Sequence, residues 1–133
     1  MAEILAFQTG YKDLDLRMKL HPVYGDVRPV KDVDAIKNSI KNILLTKRGE
    51  RPFNPLFGCD LTKYLFEPVD VITTGLMEEE IRYSIGQHEP RVELKEVYVT
   101  DDPDRNAYNI TLELTIINAQ QDADLTLILE RLR

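Results

Sequence analysis

Two histidines, one cysteine and a run of acids are the residue types here that could support catalysis or metal binding, and their spacing favours neither. His21 and His88 lie far apart, outside any metal-ligand spacing, and each reads as a surface or helix-end histidine. Cys59 is the single cysteine, which excludes an internal disulfide and a cysteine-rich zinc site. Beside a histidine it would be a candidate nucleophile, but its neighbours Phe57 and Gly58 suggest a small buried thiol. Glu78-Glu79-Glu80 reads as the solvated face of a helix. A glycosidase needs two carboxylates facing each other across a sugar, yet 23 acids make candidate pairs common and uninformative. Lys37 and Lys41, one helical turn apart, join Lys47 and Arg48 as a weak anion patch without interleaved aromatics. No Gly-rich phosphate loop, HExxH or GxSxG occurs. No residue is assigned a catalytic, cofactor or metal role, and no cofactor is expected.

Two other features point towards contacts with other chains. In His88-Glu89-Pro90-Arg91, Pro90 disfavours helical geometry at Glu89, so a helix should end there and the chain turn extended. Residues two apart in an extended segment project to the same side, so Glu89 and Arg91 form a pre-set polar clamp. The alternative is a local helix-end ion pair, worth little if exposed. Near the chain end, Leu127, Ile128 and Leu129 are consecutive, so both faces of a strand there carry apolar side chains. An open edge of that kind invites a strand from another chain; an internal strand covered by helices would show the same pattern.

The elements that must position these residues are legible from periodicity. Leu14, Leu16, Met18 and Leu20 alternate with polar residues as in a half-buried strand, ended by His21-Pro22. The stretch to Pro29 reads as a connection. A helix is expected from Asp32, its cap, to about Thr46, with the stripe Val33, Ile36, Ile40, Ile43 and Leu44. Lys47 and Arg48 suit the negative end of its dipole, Gly49 the left-handed residue that closes it, and Pro52 prevents resumption. Arg51 to Asp60 is a loop, expected to be packed because exposing Phe53 and Phe57 is costly. Leu61 to Phe66 reads as a short helical turn and Val71 to His88 as a second long helix, on which Leu76, Met77, Ile81 and Ile85 face inward. Val92 and Leu94 alternate, then Val97 and Val99 in the opposite phase, which predicts a bulged strand. After the turn Asp101-Asp102-Pro103-Asp104, Tyr108, Ile110, Leu112, Leu114 and Ile116 mark the clearest strand. Asn118 to Asp124 connects to a last strand with Leu125, Leu127 and Leu129 on one face. The fold class is α+β: a mostly antiparallel sheet, made of the N-terminal strand and three C-terminal strands, covered by two main helices.

The 133 residues suit a single domain over 1–133 with one core. No apolar run approaches the roughly 18 residues of a membrane span, and the start lacks a signal-peptide pattern. Net charge is −6, against nucleic-acid binding. It is uneven: residues 1–60 balance to +2, 61–88 to −3 and 89–133 to −5. That asymmetry suits head-to-tail contact between subunits or is ordinary surface scatter.

The block Thr46-Lys47-Arg48-Gly49-Glu50-Arg51-Pro52-Phe53-Asn54-Pro55 resembles the baseplate wedge subunit of contractile-tailed phages. So do Phe57-Gly58-Cys59-Asp60-Leu61, Leu65-Phe66-Glu67-Pro68 and, at the beginning, Tyr11, Asp13, Asp15, Met18 and Lys19. Glu89-Pro90-Arg91 is similar to the Glu-Pro-Arg motif shared with the corresponding type VI secretion baseplate protein. The likeness spans nearly the whole chain and is weakest between Thr100 and Asn106 and after Asn118.

The resemblance implies a fold similar to the tail-sheath core domain, and a structural rather than enzymatic role in a sixfold virion tail baseplate assembled in the host cytoplasm. It implies that Glu89, Pro90 and Arg91 hold the subunit to the helical core bundle of the wedge. It also implies that a sheet edge, in the first strand or in the last with Leu125, Leu127 and Leu129, receives a strand from the tail sheath protein. The expected partners are thus other baseplate wedge proteins and the sheath, with neither nucleic acid nor membrane. The competing readings are a tail-associated peptidoglycan hydrolase, since family members have been labelled lysozyme, and a baseplate subunit of a non-phage injection machine.

Overall fold

A computed structural model describes residues 12–14, 29–117 and 120–130; side chains are described from Val33 onward. The elements in order are β1 (Lys12–Leu14), β2 (Pro29–Lys31), α1 (Asp32–Leu45), a 3-10 helix (Leu61–Phe66), α2 (Val71–His88), β3 (Val92–Asp102), β4 (Ala107–Ile116) and β5 (Gln121–Glu130). Two compact units result, Met1–Asn38 and Ser39–Arg133, with the division inside α1. The class is α+β with antiparallel strand pairing, as expected.

In the first unit β1 pairs antiparallel with β2, Asp13 opposite Val30. The N-terminal strand therefore has its own two-stranded ladder, and the stretch read as a connection ends in its partner β2. Leu16, Met18 and Leu20, and the capping side chain expected of Asp32, lie outside what is described. Of the predicted stripe along α1, Ile36, Ile40, Ile43 and Leu44 are buried, together with Ala35, while Val33 is half-buried.

The second unit is built on a sheet in the order β3-β4-β5, with β4 central. Strict alternation on β4 sends Tyr108, Ile110, Leu112, Leu114 and Ile116 into the core, each no more than 1% exposed. The register of β3 against β4 slips between Leu94 and Glu96, the bulge that the change of phase at Val97 predicts. β5 begins at Gln121, earlier than the polar run to Asp124 suggests, because Ala123 faces inward opposite Leu114. α2 packs along β3. Its buried residues Thr73, Met77, Ile81, Ser84 and Ile85 recur at helical spacing, and each large apolar one contributes about 2 kcal/mol. Asp70 caps α2, accepting from the Thr73 N–H at 2.7 Å. Leu76, expected inside, is 41% exposed.

Candidate interaction site

At the end of α2, Glu89 still donates its N–H to the Ile85 carbonyl at 2.9 Å, while its φ of −129° and ψ of 82° have left the helical region, as expected of a residue before proline. Pro90 turns the chain outward, and the Arg91 carbonyl accepts from the Ile117 N–H at 3.0 Å, pinning the motif to the end of β4. Glu89 and Arg91 do project to one side, and they close on each other: Arg91 Nε donates to Glu89 Oε1 at 2.6 Å and an Arg91 terminal nitrogen to Oε2 at 2.7 Å. Ser39 Oγ on α1 donates to the same carboxylate at 2.6 Å. Glu89 is 2% exposed. Burial pushes its pKa up, but the hydrogen bonds from Arg91 and Ser39 outweigh that and hold it below its ordinary value. The motif is thus an internal latch whose half-buried outward member is Arg91, with Pro90 exposed beside it. Ser39 was not legible in the sequence, because 50 residues separate it from Glu89.

The two sheet edges differ. On β3 the bulge breaks the ladder, and Glu78 Oε1 on α2 accepts from the Val99 N–H at 3.3 Å, so that edge is partly capped. Among the described residues β5 pairs with β4 alone, over ten residues without a register shift. It contains no proline or lysine, and its charges, Asp122, Asp124 and Glu130, lie outside the run Leu125 to Leu129. Proline, lysine and other charges are devices by which proteins usually blunt an edge. Leu127 is buried and Leu125 and Leu129 are half-buried, all three facing the core, while Ile128 faces out at 47% exposure. Any contact at β5 therefore uses its backbone edge and outer face rather than the leucine side chains.

Between α1 and the 3-10 helix, Gly49 takes the expected left-handed conformation, φ +83°, but it shapes the loop rather than closing the helix: α1 ends at Leu45, and the Gly49 N–H donates to the Pro55 carbonyl. Gly58 has φ +118°, and a Cβ there would lie 2.3 Å from the Thr46 carbonyl oxygen, so only glycine fits. Arg48 reaches well beyond a local cap, bonding Glu80 at 2.7 Å, Ser84 at 3.2 Å and Asp60 at 3.5 Å. The acidic run is correspondingly not a solvated face: Glu80 is bound by Arg48, Glu78 by β3, and only Glu79 is fully exposed. Phe57 is packed, between the Arg51 guanidinium at 3.8 Å and the His88 ring at 5.1 Å. Phe53 corrects the expectation of a buried ring, for it is wholly exposed at 102%.

Cys59 is buried beside Ser84 and Glu80, and burial pushes its thiol up to about 11, away from nucleophilic use. His88 is held by Phe57, and His21 lies outside the described residues. Lys41 and Lys47 are exposed, with Lys37 half-buried. Among the described residues no group of three or more His, Cys, Asp or Glu is placed to hold a metal ion, and no helix is long and apolar enough to cross a membrane.

Among the described residues, the Glu89-Arg91 latch, the edge strand β5 and the exposed Phe53 loop are the candidate contact features. Residues 30–121 match the family model described as baseplate wedge protein gp25. The chain is 32% identical over 114 residues, 86% of each chain, to the baseplate wedge protein gp25 of Enterobacteria phage T4. Among solved structures it is similar to a putative tail lysozyme from Geobacter sulfurreducens, at TM-score 0.71 and 29% identity over 75% of this chain and 91% of that one. It is also similar to a chain of the pyocin R2 post-contraction baseplate, at TM-score 0.63 and 25% identity over 80% and 98%. The chain belongs to the gp25 family of baseplate wedge proteins, structural components of contractile-tail baseplates.

Proposed function

We propose that this subunit joins the wedge core to the first ring of tail sheath and starts sheath assembly by accepting a sheath strand on β5. The observation that carries the reading is the contrast of edges: β3 is bulged and capped by Glu78, whereas β5 offers ten residues of uninterrupted edge. Strand addition there would satisfy a row of backbone donors and acceptors, with core packing already complete beneath. The subunit would be held to the helical core of the wedge through the segment Glu89-Pro90-Arg91. In that contact Arg91 faces the partner and Glu89, from inside, fixes the guanidinium plane.

A peptidoglycan hydrolase is the less supported reading. A glycosidase general acid needs an apolar pocket that raises its pKa. The one buried carboxyl described, Glu89, is shifted down and spent on Arg91 and Ser39.

Proline placed in turn at Asp124 and Leu125 tests the docking edge, because neighbouring N–H groups of a strand point to opposite sides. Whichever variant loses an outward donor should remain folded by circular dichroism, enter baseplates, and leave them without sheath in electron micrographs. Full-length sheath on baseplates carrying that variant would refute β5 as the docking edge.

A further inference from the structure

Phe53 is 102% exposed and Leu56 76% exposed, on a loop that is nevertheless held in one shape. Gly49 N–H donates to the Pro55 carbonyl at 2.8 Å, Asn54 N–H to Arg51 at 3.3 Å and Phe57 N–H to Asn54 at 3.2 Å. Glu50 accepts from the Lys47 N–H at 2.9 Å, and the Arg51 guanidinium carbon lies 3.8 Å from the Phe57 ring centroid. A phenylalanine on a pinned loop pays little ordering entropy on binding, as an interface anchor should. Phe57, at the foot of the loop, packs on His88, the residue before Glu89. The foot of the loop thus abuts the residue that precedes the Glu89-Arg91 latch.

We infer that Phe53, supported by Leu56, is a knob that inserts into an apolar hole on an acidic helical subunit of the wedge. The inference rests on the reading of the Glu89-Pro90-Arg91 segment as the wedge contact, and it supplies that contact with an apolar anchor. Three observations select the occupant. The loop's N–H groups at Gly49, Asn54 and Phe57 are spent on its own carbonyls, so it offers no ladder to a sheath strand. A side chain exposed on all sides needs a concave complement, and packed helices present such holes between four side chains. Lys47 and Arg51 on the loop are basic and exposed against one loop carboxylate, Glu50, which accepts from the Lys47 N–H, while Arg91 is balanced by Glu89, so the loop surface is net positive. That charge favours an acidic rim and opposes a second copy of this loop.

Phe53→Ser and Arg91→Ala, each mixed in equal amounts with wild type and offered to assembling wedges, test the inference. Phe53→Ser should keep the wild-type melting temperature and be depleted at least tenfold from finished wedges. A photo-crosslinking phenylalanine analogue at position 53 should capture a helical wedge subunit, with a yield that falls as salt rises. Equal incorporation of Phe53→Ser and wild type, or capture of sheath or of a second copy, would overturn it. Depletion of Arg91→Ala alone, a variant that also loses the Glu89 latch, would likewise overturn this anchor. Depletion of Phe53→Ser alone would keep the anchor and remove Arg91 from the interface.

Discussion

Replacing Arg91 with alanine leaves the Glu89 carboxylate, 2% exposed, with the Ser39 hydroxyl donating to it. Removing one partner of a buried ion pair costs about 3–5 kcal/mol because a charge stays behind without compensation. The Arg91 side chain is 26% exposed, so water already screens part of the pair and the lower end, about 3 kcal/mol, is expected. Glu89→Ala should cost less, about 1–2 kcal/mol, since the arginine left over can turn to solvent. The two changes together should cost less than their sum, as contacting residues do. The sign of the pH dependence separates this account from a simple packing loss. In the wild type the depressed pKa of Glu89 adds stability above the ordinary carboxyl value of 4.5, lost as pH falls through the folded value. In Arg91→Ala, burial is no longer outweighed and the folded pKa rises, so the folded state takes up a proton that the unfolded chain releases. The deficit should therefore shrink on acidification. Urea unfolding followed by circular dichroism at pH 7.5 and pH 4.5 measures it. A deficit below about 1 kcal/mol at pH 7.5, or one equal at both pH values, would refute the latch.

Gly58→Ala should lose about 3 kcal/mol or more, since the methyl group collides with the Thr46 backbone and the left-handed φ is strained; soluble yield and urea midpoint report it. Arg48→Lys should lose about 2 kcal/mol by the same midpoint, because a single ammonium cannot span Glu80, Asp60 and Ser84 as the planar fork does. Cys59, with its thiol pushed up to about 11, should react with a disulfide reagent at pH 8 at least a hundredfold more slowly in the native protein than in urea. Fast native labelling would show that the thiol is not enclosed.

The elements were legible where their signals are local. Asp32 opens α1, Pro90 ends α2, and the phase change at Val97 marks the bulge in β3, each within a few residues of the feature it sets. What was not legible is set by partners distant in sequence. Nothing near Glu80 announces that Arg48, 32 residues earlier, will turn it from a solvated acid into a half-buried ion-pair partner. Nothing near Glu89 announces Ser39. The clamp pattern of Glu89 and Arg91 was readable, but whether it opens to a partner or closes on itself depended on burial that spacing does not encode. Phe53 ran against the rule that large aromatics are buried, and such departures concentrate where a protein meets another molecule. The start of β5 was obscured because Gln121, Asp122 and Asp124 are polar on the exposed side while the buried Ala123 is too small to mark a core face.

A reconstruction of the assembled, uncontracted tail at side-chain resolution tests the central proposal most directly. It should show a strand from a sheath subunit lying about 4.8 Å from β5 and hydrogen-bonded along Leu125 to Leu129 as the fourth strand of the sheet. A β5 edge left in solvent, with the sheath strand seated on β3 or on no strand of this subunit, would contradict it.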